Sequence, residues 1–195
     1  MDDEFLVIED DEEPCSAAGD DDGDGSSFRH QFWKILIVDD EPDVHVATKL
    51  ALKGFEFDDR ALEFFEAQSG AAARRILAEQ KDIAVILLDV VMESDDAGLK
   101  LVDHIRNELH NSMVRIILRT GQPGQAPERD VIVRYDINDY KEKTDLSATK
   151  LFTLMYATLR SYRDINIIEA SRRGLVRVIE SSAEMFKEQF LDNFA

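Results

Sequence analysis

"ILIVDDEPD" runs from Ile35 to Asp43, an apolar run that ends in two acids with a proline just beyond. Trp33 to Val38 reads as a buried strand. After it, Val44, Ala47, Leu50 and Ala51 recur at helical spacing, and Asp43 is placed to cap that helix. Asp39 and Asp40 therefore stand where a strand ends and a helix begins. "FLVIEDDEEP", Phe5 to Pro14, looks similar but leads into "CSAAGDDDGDGSSF". That stretch is rich in Gly, Ser and Asp, where a helix has little support. The first copy reads as part of a tail, the second as a structural joint.

The strand–helix alternation then repeats. "LEFFEAQSG" (Leu62 to Gly70) is a strand and turn, followed by the helix "AAARRILAEQ". "DIAVILLDV" (Asp82 to Val90) is a continuous apolar run, as expected of a strand buried on both faces, and it closes on Asp89. "GLKLVDHIRNEL" is a helix with Leu99, Val102, Ile105 and Leu109 on one face. "MVRIILRTG" is a fourth strand ending in Thr120, and "APERDVIVRYD" a short helix. "INDYKEK" is a fifth strand ending in Lys143, with a helix from about Ser147. The pattern predicts an α/β fold, a doubly wound five-stranded parallel sheet with a C-terminal helical extension.

Composition bounds the function. The chain has 195 residues, 44% of them hydrophobic, and a formal charge of −18. Residues 1–28 hold twelve Asp/Glu and no Lys/Arg, which leaves 29 acids and 23 bases in the rest. Residues 1–31 are expected to be an acidic disordered tail, 32–160 the α/β domain, and 161–195 a helical linker. An acidic body without a basic stripe argues against direct nucleic-acid binding. No apolar run suits a membrane span. The single cysteine, Cys15, permits no disulfide framework, and a cytoplasmic location is expected.

In open parallel sheets, ligands sit beyond the C-terminal edge of the strands. Asp39, Asp40, Asp89, Thr120 and Lys143 all fall on that edge. Clustered carboxylates suit a hard cation such as Mg²⁺. An aspartate can also act as a nucleophile towards phosphorus, while a hydroxyl and an ammonium stabilise the phosphoryl oxygens. Any one of these residues alone is an ordinary turn former or surface charge. Their joint placement at successive strand ends points to phosphoryl transfer onto a carboxylate.

Residues from about Lys34 to Arg163 resemble the receiver domain of a bacterial two-component response regulator, a flavodoxin-like fold. "ILIVDDEP" matches the acidic-pair motif, "ILLDVVM" the phosphoacceptor motif, "IILRTG" the switch-hydroxyl motif and "DYKEKT" the aromatic-plus-lysine motif. The resemblance implies that Asp89 accepts phosphate from a sensor histidine kinase or phosphotransfer protein. It implies that Asp40 and Asp89 ligate Mg²⁺, Asp39 mostly through water, and that the Val91 carbonyl completes the site. Thr120 and Tyr140 would be a coupled switch pair. Strand periodicity puts Lys141 and Lys143 on the same side, and only the family spacing from Tyr140 favours Lys143. Two features depart from the family. Glu93 follows Met92 where proline is usual, in a loop one residue longer, so that Glu93, Asp95 and Asp96 would add negative charge beside the metal. Thr144 stands where the lysine is usually followed by a cis proline, which leaves the Lys143–Thr144 isomer open.

Two other readings compete. One is a receiver-shaped interaction module that is never phosphorylated. The other is an aspartate-dependent phosphatase, which usually needs a second acid where Val91 stands. Beyond the receiver there is no proline from Ser147 to Ala195. A heptad seam runs through Leu151, Thr158, Ile165, Arg172, Ile179 and Phe186, with Leu154, Ser161, Ile168, Leu175, Ser182 and Gln189 alongside. It predicts helix pairing, and Gly174 marks a candidate joint. A homodimer is expected through this helix or through the receiver face built by its fourth helix, fifth strand and fifth helix. The block from Asn138 to Leu175 resembles regulators whose receiver precedes an uncharacterised sensory-like domain. Some of these carry an HD-GYP phosphodiesterase or a kinase; no HD-GYP motif is present here, so no enzymatic output is expected within the chain.

Overall fold

The computed structural model describes residues 32–121, 137–143 and 147–192, with side chains to 182. The acidic tail, the short helix expected over Ala126 to Asp136, and the Lys143–Thr144 bond lie outside these residues. So do the side chains of Phe186 and Gln189.

The chain runs β1 (Phe32–Val38), α1 (Pro42–Ala51), β2 (Glu56–Phe57), β3 (Arg60–Ala67), α2 (Gly70–Glu79), β4 (Val85–Asp89) and α3 (Ala97–Asp103). The last helix continues as a π turn over His104–Glu108, followed by β5 (Arg115–Thr120), β6 (Asp139–Glu142) and α4 (Ala148–Asp192). The sheet order is β2-β3-β1-β4-β5-β6. All neighbours are parallel except β2 and β3. The five parallel strands are those expected. The sixth is a two-residue edge strand that the apolar pattern does not reveal. Its hairpin turns on Asp58 and Asp59, both at positive φ (49° and 57°), the backbone that a two-residue hairpin of matching twist needs. The short side chain of Asp tolerates that conformation.

β1 shows why its sequence reads as a buried run. Ile35, Leu36, Ile37 and Val38 are all fully buried. Leu36 and Val38 face a layer with Ala73, Leu77, Leu101 and Ile105 from α2 and α3. Trp33, Ile35 and Ile37 face Leu52, Phe55, Leu151, Met155 and Leu159 on the other side. A strand covered on both faces has no polar side to alternate with.

α1 corrects the apolar reading. Its N-cap position is Glu41, and Asp43 lies in the first turn. His45 and Thr48 are buried, whereas Ala47 is exposed and Leu50 is 69% exposed. The helix turns a polar face inward because its partners there are polar: His45 Nε2 donates to the Asp39 carbonyl at 2.7 Å, and Thr48 Oγ1 accepts from Arg119 at 2.9 Å. In α3 the buried face is Leu101, Val102 and Ile105, with Leu109 exposed at its end.

α4 is 45 residues long and unbroken. Gly174 makes no joint, since the helix passes straight through it. A single glycine costs a helix only about 1 kcal/mol. The first turns pack on the sheet through Leu151, Met155, Thr158 and Leu159. Arg163 then ties the helix to the β2–β3 hairpin through both oxygens of Asp58, at 3.0 and 3.1 Å. Residues 171–181 are all exposed. Among the described residues no helix is long and apolar enough to cross a membrane.

Candidate functional site

The C-terminal ends of β1, β4, β5 and β6 bring the expected residues to one edge. Asp39, just past β1, is fully buried; Asp89, the last residue of β4, is 3% exposed; Thr120, ending β5, is 2% exposed. The parallel registers pair Val38 with Leu88 and Asp89 with Arg119, so these strand ends lie level. Thr120 sits opposite Glu142 on β6. Tyr140 is half-buried and packs on the apolar layer shared with α2 and α3. Asp40 is exposed at the mouth, and Val91 is half-buried in the loop after β4.

Lys143 joins the acids. Its Nζ lies 2.9 Å from Asp89 Oδ2, 3.2 Å from Asp39 Oδ2 and 2.8 Å from Glu41 Oε1. Lys141 points elsewhere and pairs with Asp139 at 3.1 Å. The ambiguity left by strand periodicity is thus settled by reach: Lys143, one step past β6, extends over the edge. Burial works to lower the Lys143 pKa, but hydrogen bonds to Glu41 and Asp89 and the charges of Asp89 and Asp39 outweigh it and raise it. Asp89 responds the other way. Burial raises its pKa, and the bond to Lys143 offsets only part of that. The two shifts describe one bridge: the ammonium gains from several acids, while ionised Asp89 is not fully repaid for leaving water.

Asp39, Asp40 and Glu41 offer carboxylate oxygens within 4.8 Å of one another. Asp89 stands outside that set, and the Lys143 ammonium pairs with both it and Asp39. Asp39 Oδ2 and Asp89 Oδ1 are buried without a hydrogen-bond partner. Removing Lys143 should be costly, since two buried carboxylates would lose the ammonium that bridges them. Loss of one partner from a buried pair typically costs about 3–5 kcal/mol, and the low end is expected for an ammonium still 18% exposed. Urea unfolding of Lys143→Met at neutral pH measures this, and a loss below about 1 kcal/mol would show the bridge to be marginal.

The loop after β4 departs from expectation. Glu93 Oε1 accepts from the Gly70 backbone N–H at 2.9 Å, at the N-terminus of α2. Asp96 pairs with Lys100 at 2.7 Å and accepts from Ser94. Two of the three extra acids are thus engaged by other partners. Sequence reasoning also passed over Glu41, which sits inside the quoted motif, and Arg119. The signal for Arg119 was one cation in the otherwise apolar "IIL-R-T" of a central strand. Its guanidinium is 3% exposed, and Nη2 lies 3.6 Å from Asp39 Oδ2.

Comparison with known proteins follows this geometry. A family model described as "Response regulator receiver domain" matches residues 35–153, more than half of the chain. A second, "Domain of unknown function (DUF3369)", matches residues 155–195. The chain is 52% identical over 163 residues to the 3'3'-cGAMP-specific phosphodiesterase 2 of Vibrio cholerae serotype O1, covering 84% of this chain and 31% of that protein. It thus spans about a third of that relative's length. The fold is similar to the signal receiver domain of a Luxo repressor protein from Vibrio parahaemolyticus, with a TM-score of 0.59 and 20% identity over 71% of this chain and 98% of that one. It is also similar to the receiver domain of an HD domain-containing protein from Pseudomonas fluorescens Pf-5, with a TM-score of 0.57 and 20% identity over 68% of this chain and 98% of that one. By its motifs, its flavodoxin-like sheet order and the family match over its α/β domain, this chain belongs to the response regulator receiver family.

Proposed function

We propose that this receiver is a phosphoacceptor in which Asp89 takes a phosphoryl group from a phosphohistidine on a sensor histidine kinase or phosphotransfer protein. The observation that carries the reading is the pair of buried carboxylates, Asp39 and Asp89, bridged by Lys143, with Asp89 Oδ1 left without a hydrogen bond. An Asp89 oxygen would attack phosphorus, and the P–N bond would break with its electrons leaving on the imidazole. The product is an acyl phosphate on Asp89. Lys143 is placed to pair with one phosphoryl oxygen, and the Thr120 hydroxyl, on the neighbouring strand, to donate to another. Tyr140, beside that strand, would follow Thr120 as the switch.

The donor set fits a hard divalent cation: the carboxylates of Asp39, Asp40 and Glu41 cluster, and beside them Asp89 Oδ1 is buried without a hydrogen bond. Asp39, Asp40 and Asp89 with the Val91 carbonyl would hold Mg²⁺, which when bound offsets charge on the phosphoryl oxygens. Thermal melts test this. At a Mg²⁺ concentration about ten times Kd, the fold should gain about 1.4 kcal/mol, a rise of a few degrees. Asp40→Ala should lose that rise. An unchanged melting temperature at millimolar Mg²⁺ would count against the metal site. Labelling by a small phosphodonor in Mg²⁺ distinguishes this reading from a receiver-shaped module that is never phosphorylated.

A second reading concerns the output. The relative's name suggests that one process under such a receiver is hydrolysis of a cyclic dinucleotide, carried outside residues 32–160. Residues 161–195 would transmit the signal by pairing with a second copy. That reading is favoured by the exposed Ile168 (64%), Leu175 (65%) and Ile179 (67%) along one stripe of the unbroken α4. Sedimentation with and without beryllofluoride should show a dimer that a fragment ending at Tyr162 cannot form. If the full chain stays monomeric in both states, pairing is ruled out.

A further inference from the structure

Arg119 is a buried cation that the phosphotransfer chemistry above does not use. It sits near the C-terminal end of β5, between Leu118 and Thr120, and is almost wholly removed from water. Nη1 donates to Thr48 Oγ1 on α1 at 2.9 Å, while Nε and Nη2 have no hydrogen bond. Asp39 lies 3.6 Å from Nη2. Burial lowers the guanidinium's pKa, and the charges of Asp39 and Asp89 oppose that. Arginine nonetheless keeps its proton in proteins. A buried charge without full compensation costs stability, so its position beside two buried carboxylates calls for an account.

We propose that Arg119 is a resident counter-cation of the acidic site, which shares with Lys143 the neutralisation of Asp39 and thereby weakens the binding of a divalent cation there. The inference rests on the Mg²⁺ reading given above. Two resident cations stand beside the acids. Lys143 comes over the rim from β6, 18% exposed, and bridges Asp39, Glu41 and Asp89. Arg119 is anchored to α1 by Thr48 and lies 3.6 Å from Asp39. An ammonium on a flexible stem can swing away when a metal arrives. A guanidinium held in the core cannot, so its repulsion acts on any cation that enters. The site would then fill only at higher Mg²⁺ and would tolerate the metal-free state.

The expected effect is large. A unit charge a few ångströms from the ligands, at an effective dielectric of about 20, shifts a divalent cation's affinity by about tenfold or more. Calorimetric titration of MgCl₂ into the full chain, after chelator treatment, tests this on wild type, Arg119→Met and Arg119→Lys. Arg119→Met should bind Mg²⁺ about tenfold more tightly than wild type and melt lower without metal, with the gap narrowing as Mg²⁺ is added. Arg119→Lys, which keeps the charge, should remain near wild type. Should the methionine variant fail to fold even in Mg²⁺, Arg119→Gln carries the same expectation, since its amide can still donate to Thr48. If wild type binds Mg²⁺ and the uncharged variant binds equally or more weakly, the inference falls while the metal site stands. If no variant binds, both fall together.

Discussion

Asparagine at position 89 should abolish acyl phosphate formation while the fold persists. Asp89 ends the buried strand β4, with Oδ2 on Lys143 at 2.9 Å and Oδ1 unpartnered. Asparagine has the same shape and still offers an oxygen to Lys143, but its amide is no nucleophile towards phosphorus. Incubation with a small phosphodonor and Mg²⁺, followed by intact mass, should show label on wild type and none on the variant. Undiminished labelling of Asp89→Asn would move the phosphoacceptor elsewhere. The same substitution carries a pH signature. Burial raises the Asp89 pKa in the folded chain above the ordinary 3.8. The folded state therefore holds the proton more tightly than the unfolded one. The stability this contributes is fully present below the ordinary value and is lost as pH rises through the folded pKa. Asparagine never ionises, so without Mg²⁺ the variant should be the more stable at neutral pH. The difference should shrink towards zero as pH falls. Urea melts across pH check this; a variant less stable than wild type at pH 7 would mean that the Lys143 bridge outweighs burial.

Alanine at position 98 should damage both fold and site. Gly98 is in the first turn of α3, and its N–H donates to the Val90 carbonyl at 3.0 Å. A Cβ there would lie 2.1 Å from the Asp89 carbonyl oxygen and 2.8 Å from Val90 Cα. Both are backbone atoms at the end of a central strand and cannot swing aside. Overpacking usually costs about 1–3 kcal/mol, and this contact should reach or exceed the upper figure. Any folded fraction would carry Asp89 out of line with Lys143 and should label slowly. Gly174→Ala is the matched control. A Cβ there meets nothing within 4 Å, so helix propensity alone should gain up to about 1 kcal/mol locally, seen as increased helicity. If Gly98→Ala melts like wild type, the close approach of α3 to the end of β4 is soft enough to yield.

The neutral readings of single residues gave way only when the chain was read as a whole. Asp39 alone is a turn residue, and Thr120 before Gly121 is another. Five polar residues at the C-terminal ends of successive apolar runs can be located from sequence because a parallel strand covered on both faces leaves an unbroken apolar segment, and its end is where polarity returns. The sheet, its five parallel strands and the edge that holds Asp39, Asp89, Thr120 and Lys143 follow from that local contrast. Glu41 lies in the same motif, but nothing in its local pattern marks it as a partner of Lys143, 2.8 Å away in the fold.

What the sequence by itself determined is therefore the order of strands and helices and which polar residues end them. Each depends on near neighbours in the chain and on burial that is uniform along a segment. The tertiary structure alone decided what stands opposite each group. α1 buries His45 and Thr48 instead of Ala47 and Leu50, because a backbone carbonyl and a guanidinium await them across the gap. Lys143 reaches the acids and Lys141, two residues earlier, pairs with Asp139 instead, because Lys143 stands past the end of β6. Glu93 turns to the N-terminus of α2, away from the expected metal loop, because that helix presents an unsatisfied N–H within reach. Arg119 reads as a misfit in an apolar strand until Asp39 is found 3.6 Å away, supplied by a strand some eighty residues earlier. Local pattern cannot carry such pairings, because the energy of a buried charge depends on partners that only the folded chain brings together.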